Sequence, residues 1–265
     1  MGSAREKILN DAAVRHGHYA AKQIFCSDPL IAWSHRRRFE VGLRLARRFA
    51  GRRLLDYGCG DGTFIALLFA AGDPPASMVG AELDEHQVHD CRTRLARLPG
   101  VTFDTIARLD AAAHARAYDL VVCMEVLEHV VALDGVIDQL WRLLADDGTL
   151  LVSVPVEIGA PLLVKQALRR VAAWRGIGDY GGTSPYTIRE YAASLFAGAT
   201  PHIARSIYNA DGDVPFHDHK GFNWRALRVR LERRFAIDDV IASPVPWLGP
   251  HLATQVWFVA RKKSV

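Results

Sequence analysis

The stretch Leu54-Leu55-Asp56-Tyr57-Gly58-Cys59-Gly60-Asp61-Gly62-Thr63-Phe64 constrains this chain more than any other. RRLLDYG is the pattern of a strand that ends on an acid, and TFIALLFAAG is the pattern of a helix. Between them three glycines alternate, which lets the backbone turn sharply and come close to a ligand. The same rhythm continues through residues 51–155. SMVGAEL reads as a strand, EHQVHDCRTRLARL as a helix, and VTFDTI and YDLVVCM as strands. LDGVIDQLWRLLA reads as a helix closed by Asp147-Gly148, and TLLVSVP as a strand. Apolar strands alternating with helices predict a parallel sheet covered on both faces. Further on, residues 222–234 look helical. FAIDDVIAS and ATQVWFVARK read as strands joined by SPVPWLGPH, which carries no helical pattern. Two such strands pair antiparallel, so the sheet is expected to be parallel with an antiparallel edge.

The loop also restricts its ligand. A dinucleotide fingerprint wants glycine where this chain has Thr63, and the lysine of a phosphate loop is missing. The carboxylate of Asp56 sits just below the loop, where it would repel a pyrophosphate and suit a positive charge. Twenty residues beyond Gly62, Glu82 ends the second strand, where an acid can accept hydrogen bonds from both hydroxyls of a ribose. A ribose joined to a cation points to S-adenosylmethionine, whose amino group and sulfonium are both positive.

Composition sets the outer limits. Half of the 265 residues are hydrophobic and 23% are charged, enough to bury a core of one large domain and unlike a disordered chain. Lys plus Arg number 33 against 29 acids, a net charge of +4 that permits an anionic partner without demanding one. The four cysteines, Cys26, Cys59, Cys91 and Cys123, include no Cys-x-x-Cys pair, which argues against a disulfide scaffold or cysteine zinc site. No apolar run reads as a signal peptide or bilayer span. A cytoplasmic location is expected, with any membrane contact peripheral. Residues 1–50 read as a basic helical segment and 51–265 as the main domain. In the former, Phe39, Leu43, Ala46 and Ala50 mark an apolar stripe, and Arg36, Arg37, Arg38, Arg44, Arg47 and Arg48 a solvated face. Residues 156–215 break the strand–helix rhythm. Two helical patterns, PLLVKQALRRVAAW and TIREYAASLF, flank a glycine-rich GIGDYGGTSPY, as expected of a lid or substrate-binding insertion, with Tyr180, Tyr186 and Tyr191 available to line it.

With Asp56, the glycine triplet and Glu82 in register, the chain resembles the class I S-adenosylmethionine-dependent methyltransferases over roughly residues 35–155. The resemblance implies a Rossmann-like α/β fold, a mostly parallel seven-stranded sheet whose last strand is inserted antiparallel, and a helical insertion after strand five. It also implies roles at matching positions. Asp56, Gly58 and Gly60 would hold the methionine end and Glu82 the ribose, with Cys59, Gly62 and Leu83 also at the cofactor. Arg108 and Leu109 would wall the adenine, and Met124 and Glu125 would lie against the methyl donor.

The segment YDLVVCMEVLEHV is similar to that of ubiquinone-pathway O-methyltransferases and of the 3′-terminal ribose 2′-O-methyltransferases of small RNAs. That resemblance implies a divalent ion, Mg²⁺, Mn²⁺ or Zn²⁺, held by Glu125, Glu128 and His129 plus a later histidine. In FHDHKGFNW the matching residue is His219, with His217 as the alternative. Without a metal, Glu-x-x-Glu-His is equally a pattern of metal-free enzymes, and His129 or His219 would be the base. The catalytic candidates are therefore His129, His219 and Glu125.

Three readings of the function follow, two of them acceptor classes. The first is a small or lipid-linked hydroxylated molecule such as a sugar or quinol. The second is a terminal RNA ribose, disfavoured by the small net charge and the lack of an RNA-binding module. The third reading is a cofactor-binding module without catalysis, which the intact acids and glycines argue against. Residues 161–175 place Leu163, Val164, Ala167, Leu168, Val171 and Trp174 on one helix face and Lys165, Gln166, Arg169 and Arg170 on the other. That pattern suits either a lid helix packed by its apolar face or an interfacial helix on an anionic membrane.

Overall fold

A computed structural model describes residues 12–49, 51–72, 74–174, 184–209 and 214–263. Seven strands hydrogen-bond in one sheet: β1 (Arg53–Tyr57), β2 (Ser77–Glu82), β3 (Val101–Thr105), β4 (Tyr118–Met124), β5 (Leu144–Pro155), β8 (Phe235–Ser243) and β9 (Gln255–Lys262). Their order is β3-β2-β1-β4-β5-β9-β8. β1 pairs in parallel with β2 and β4, and β2 with β3. As the resemblance implies, the last strand is inserted: β9 lies between β5 and β8, whereas the strand pattern alone placed an antiparallel strand only at the edge. A separate hairpin, β6 (Ile207–Asn209) with β7 (Pro215–His217), has no counterpart in the sequence reading. The strands are three residues long, too short to leave an alternating pattern.

The chain divides into two compact units. The first comprises residues 1–124, 139–152 and 260–265, and the second 125–138 and 153–259. In the first unit, α1 (Ala12–Arg15), α2 (His18–Gln23) and α3 (Pro29–Ala46) precede β1. α3 buries Phe39, Leu45 and Ala46, while Leu43 is half-buried, so the apolar stripe is shifted from the predicted one. Ala50 lies outside the described residues. The arginine face is not wholly solvated either. Arg38 is only 4% exposed and donates to the Gln23 side chain (2.7 Å), and Arg36 donates twice to the Ile24 carbonyl (3.1 and 2.9 Å). These bonds tie α3 to the end of α2.

α4 (Thr63–Ala70) follows the glycine loop and buries its residues Thr63 to Leu68 all round, as a helix without a polar face must. α5 (Glu85–Arg94) starts on Asp84, whose side chain accepts from the His86 amide. α6 (Leu133–Leu143) stops short of the predicted Asp147-Gly148 closure, and β5 already begins at Leu144. The carbonyls of Arg142 and Leu143 accept instead from the amides of Arg116 and Ala117 (2.8 and 3.0 Å), which ends the helix early. Leu54, Leu55, Phe64, Ile65, Leu68 and Met78 form the centre of this unit's core, each stabilising by about 1.5–3 kcal/mol when fully buried.

In the second unit, α7 (Ala160–Trp174) and α8 (Ile188–Leu195) appear where the two helical patterns were expected, and α9 (Trp224–Leu231) precedes β8. α8 opens on a capping box: Thr187 accepts from the Glu190 amide and Glu190 from the Thr187 amide. Most of the glycine-rich segment, with Tyr180, lies outside the described residues. Trp224, Phe235, Trp257 and Phe258 build the core, with the Trp224 and Phe258 rings 6.3 Å apart. Among the described residues no helix is long and apolar enough to cross a membrane.

Candidate functional site

In the first unit, the glycine loop is built around backbone donors and three acids. The Gly58 and Cys59 amides both reach the Ala81 carbonyl (2.8 and 3.0 Å), so the loop is laced to the end of β2. Gly62 starts α4 at φ +71, and a side chain there would meet Leu95 at 2.7 Å. The loop thus requires glycine by both backbone and space. Glu82 accepts from the Gly60 amide (2.8 Å) through one oxygen and from the Leu83 amide (2.7 Å) through the other. Its orientation is set before any ligand arrives. Leu83 itself is exposed.

Asp56 is the electrostatic anomaly. It is fully buried, and its Oδ2 has no hydrogen-bond partner among the described residues. Burial, with Glu82 and Asp61 nearby, pushes its pKa up to about 8. A buried carboxylate left short of a partner among other acids suits a cation, as expected for the positive end of S-adenosylmethionine. Cys59 is buried beside Cys91, and that thiol hydrogen bond together with burial raises its pKa. Of the adenine-wall candidates, Leu109 is wholly buried in the core, while exposed Arg108 pairs with Asp104 (3.4 Å). Leu109 therefore packs rather than presenting a surface. Met124 ends β4.

In the second unit, Glu125 takes a left-handed backbone, φ +56, uncommon for a residue with a side chain. Its amide donates to the Ser153 carbonyl (2.9 Å), and its carboxylate accepts from Ser153 Oγ (2.9 Å) and Gln255 Nε2 (3.4 Å). Glu128, His129 and His219 converge: one ligand atom from each lies within 4.8 Å of the others. The two imidazole Nε2 atoms are 3.3 Å apart, and His129 Nε2 is 3.9 Å from Glu128 Oε1. Of the four expected ligands, Glu128, His129 and His219 come together, while Ser153 and Gln255 engage the Glu125 carboxylate.

The outer nitrogen of His129 is held by a hydrogen bond, and that of His219 faces an acid. His129 Nδ1 donates to the His217 carbonyl (2.8 Å), and His219 Nδ1 lies 3.9 Å from the buried Glu157 carboxylate. Both rings present Nε2 to the shared space, and the His129 bond is of the kind that orients a metal-ligating imidazole. Two imidazole nitrogens and a carboxylate could hold a borderline divalent ion. Burial, then the neighbouring His219, holds the His129 pKa below its ordinary value. His217, the alternative ligand, turns its own Nδ1 to the Ser206 carbonyl (2.8 Å). The β7 segment carries out the assembly. Val130 bridges Phe216, and the His217 amide donates to the His129 carbonyl (2.9 Å). Arg205 then staples the two stretches by donating to the carbonyls of Glu128 and Asp218. Sequence reasoning missed Glu157, Lys165 and Arg205. Glu157 and Lys165, eight residues apart, form an ion pair (2.8 Å), and only the run of bases after a lone acid hinted at it.

A family model described as a methyltransferase domain matches residues 30–199, about two thirds of the chain. The chain belongs to this family. The match covers Asp56, Glu82, Glu125, Glu128 and His129 but stops before His219. Among curated relatives, the methyltransferase domain is similar to a ubiquinone biosynthesis O-methyltransferase of Psychrobacter arcticus, 31% identical over 46% of each chain. It is also similar to a trans-aconitate 2-methyltransferase of Methylobacterium radiotolerans, 33% identical over 47% of this chain and 45% of the other. The chain spans about half the length of the curated relatives it matches. Among solved structures, an S-adenosylmethionine-dependent methyltransferase of Mesorhizobium loti shares the fold with a TM-score of 0.52 and 17% identity, over 84% of this chain and 96% of that one. The [4+2]-cyclase SpnF shares it at 0.57 and 17%, over 89% and 84%. The fold therefore hosts more than one reaction, and the acceptor must be argued from the site.

Proposed function

We propose that this methyltransferase moves the methyl group of S-adenosylmethionine to an oxygen of a small or lipid-linked hydroxylated acceptor, a sugar or quinol for example. The observation that carries this reading is the convergence of Glu128, His129 and His219 with their imidazole Nε2 atoms turned to one space. S-adenosylmethionine supplies the methyl on a sulfonium, already an activated electrophile. A new oxygen–carbon bond forms as the carbon–sulfur bond breaks, S-adenosylhomocysteine leaves, and the acceptor hydroxyl gives up its proton. The protein's part is to align the partners, exclude water and take that proton.

When no metal is bound, His129 is suited to take it. Its Nδ1 proton is committed to the His217 carbonyl, so the neutral ring keeps its lone pair on Nε2. Asp56 takes the cofactor's positive end and Glu82 its ribose hydroxyls, consistent with the orphaned Asp56 oxygen and the preset Glu82 carboxylate. Glu128, His129 and His219 would hold a divalent ion, which would lower the pKa of a bound hydroxyl and favour two neighbouring oxygens on the acceptor. A lipid-linked acceptor is supported by α7. At its start Leu163 and Val164 are exposed, Leu162 is buried, and Lys165 turns to buried Glu157. Similarity to the ubiquinone O-methyltransferase points the same way.

The test is methyl transfer from labelled S-adenosylmethionine to a panel of catechols, sugars and a short RNA, with and without Mg²⁺, Mn²⁺ or Zn²⁺. Transfer to an oxygen that is lost in His129→Ala, with S-adenosylhomocysteine still bound, supports the assignment. Transfer to nitrogen or carbon, or activity indifferent to His129, overturns it.

A further inference from the structure

The chain's own N-terminal segment is pinned to the glycine loop. Asp61, in the loop, is buried, and its Oδ2 accepts from the amides of Tyr19 (2.8 Å) and Ala20 (2.9 Å). Its Oδ1 accepts from the Thr63 amide (3.1 Å). One carboxylate thus serves the first turns of both α2 and α4, whose amides have no partner inside their own helices. Gly17 makes the approach possible: a methyl there would stand 2.3 Å from Asp61 Oδ2 and 2.9 Å from its Cγ. None of these residues before position 30 falls within the matched family region.

The pin decides where Tyr19 lies. A side chain on Gly60 would meet its Cδ2 and Cε2 at 3.0 and 3.1 Å, so the ring covers the loop at that glycine. Gly60 is also the residue whose amide holds Glu82. Glu82, Asp61 and Asp84 all act electrostatically on the Tyr19 phenol. The ring nevertheless stays 40% exposed, whereas the loop beneath it is buried or half-buried. A half-covered aromatic ring among carboxylates, over a loop that already carries an unpartnered buried acid, is a surface for a positively charged ligand.

We propose that residues 12–24 form the outer wall of the S-adenosylmethionine site, with the ring of Tyr19 as the contact and the Asp61 pin as what holds it there. The inference rests on reading the Asp56–Glu82 loop as the cofactor site, and adds a binding residue outside it in sequence. The ring, rather than the hydroxyl, is the contact, because it is the ring carbons that cover Gly60.

The experiment is calorimetric titration of the full chain with S-adenosylmethionine and S-adenosylhomocysteine, with thermal unfolding to verify that each variant is folded. Tyr19→Ala is expected to weaken binding about tenfold and Tyr19→Phe by less than about twofold. Gly17→Ala, which lifts the segment without removing any ligand-facing atom, is expected to act like Tyr19→Ala. Cofactor should slow proteolysis within residues 12–24 of the wild-type chain, but not of Gly17→Ala. Should Gly17→Ala not fold, the Tyr19 pair carries the test. Wild-type affinity in Tyr19→Ala, alongside lost binding in Glu82→Ala, overturns the wall. Wild-type affinity in Glu82→Ala as well would instead overturn the loop as the cofactor site.

Discussion

The glycine loop and the Glu128–His129–His219 cluster are built on opposite principles. The loop is nearly contiguous in sequence. Its acids stand at the ends of adjacent parallel strands, and backbone amides orient the Glu82 carboxylate. The cluster is discontinuous. His129 and His219 are ninety positions apart and meet where Val130 bridges Phe216 and His129 bonds His217, with Arg205 stapling carbonyls on both sides. Backbone donors cannot be mutated away, so the loop's vulnerability lies in its acids and glycines. The cluster depends on side chains and on the His217 carbonyl that fixes the His129 tautomer. The difference teaches that the first site resists most substitutions around it, whereas the second fails when any supporting contact shifts.

The largest expected effect is on the loop. Glu82→Ala leaves two ribose hydroxyls unpaired at roughly 1–3 kcal/mol each, a loss of about 100-fold in cofactor affinity by calorimetry. Metal binding by the same variant should not change, which sharpens the separation of the two sites. An unaltered dissociation constant for the cofactor would break it.

Next come the cluster variants. Glu128→Gln and His219→Ala should each weaken Mn²⁺ or Zn²⁺ binding at least tenfold, and Glu157→Gln by about tenfold through the His219 ring. Cofactor affinity should hold within about twofold in all three. Equal loss of cofactor and metal binding would mean that the sites are not independent.

Asp56 gives a pH signature that the cluster does not share. Its folded pKa is raised to about 8, so in the free protein it is largely protonated at pH 7. Binding a cation there requires the proton to leave. Affinity should therefore rise with pH, by up to about tenfold per unit, and level off above pH 8. The sign for folding is opposite. The unfolded carboxyl ionises near pH 4, so without cofactor Asp56 takes stability away as pH rises from about 4 to 8. Titrations near pH 7 in buffers of different ionisation enthalpy should show proton release on binding. Asp56→Asn should remove that release and flatten both profiles.

The smallest effect concerns α7. Leu163→Glu with Val164→Glu should change stability by no more than about 0.5 kcal/mol, since both side chains are exposed. The pair should nonetheless lower co-sedimentation with anionic vesicles severalfold. Unchanged sedimentation would remove the membrane from the acceptor reading.

How much of this was legible differs between the two regions for the same reason. Asp56, the glycine triplet and Glu82 could be read directly because strand, turn and helix patterns are local, and a parallel β1–β2 pair places their ends side by side. Glu128 and His129 were visible as a motif, and His219 as a match to a downstream stretch, but nothing local joins them. Arg38 and Lys165 were read as solvated or basic-face residues. They are held by Gln23 and Glu157, and charge patterning along one helix carries no record of a partner on another element.

The α/β alternation, the glycine turn and the acids near the ends of β1 and β2 could be read from the residues alone, all consequences of backbone preference over a few residues. Long-range packing settled that Glu125 bonds Ser153 and Gln255 rather than joining the cluster, and that Asp61 draws Tyr19 over Gly60. Those choices are settled by which buried donors and acceptors find each other across long stretches of chain. A buried polar group without a partner costs about 1–3 kcal/mol, and no local pattern reveals which partner will be there.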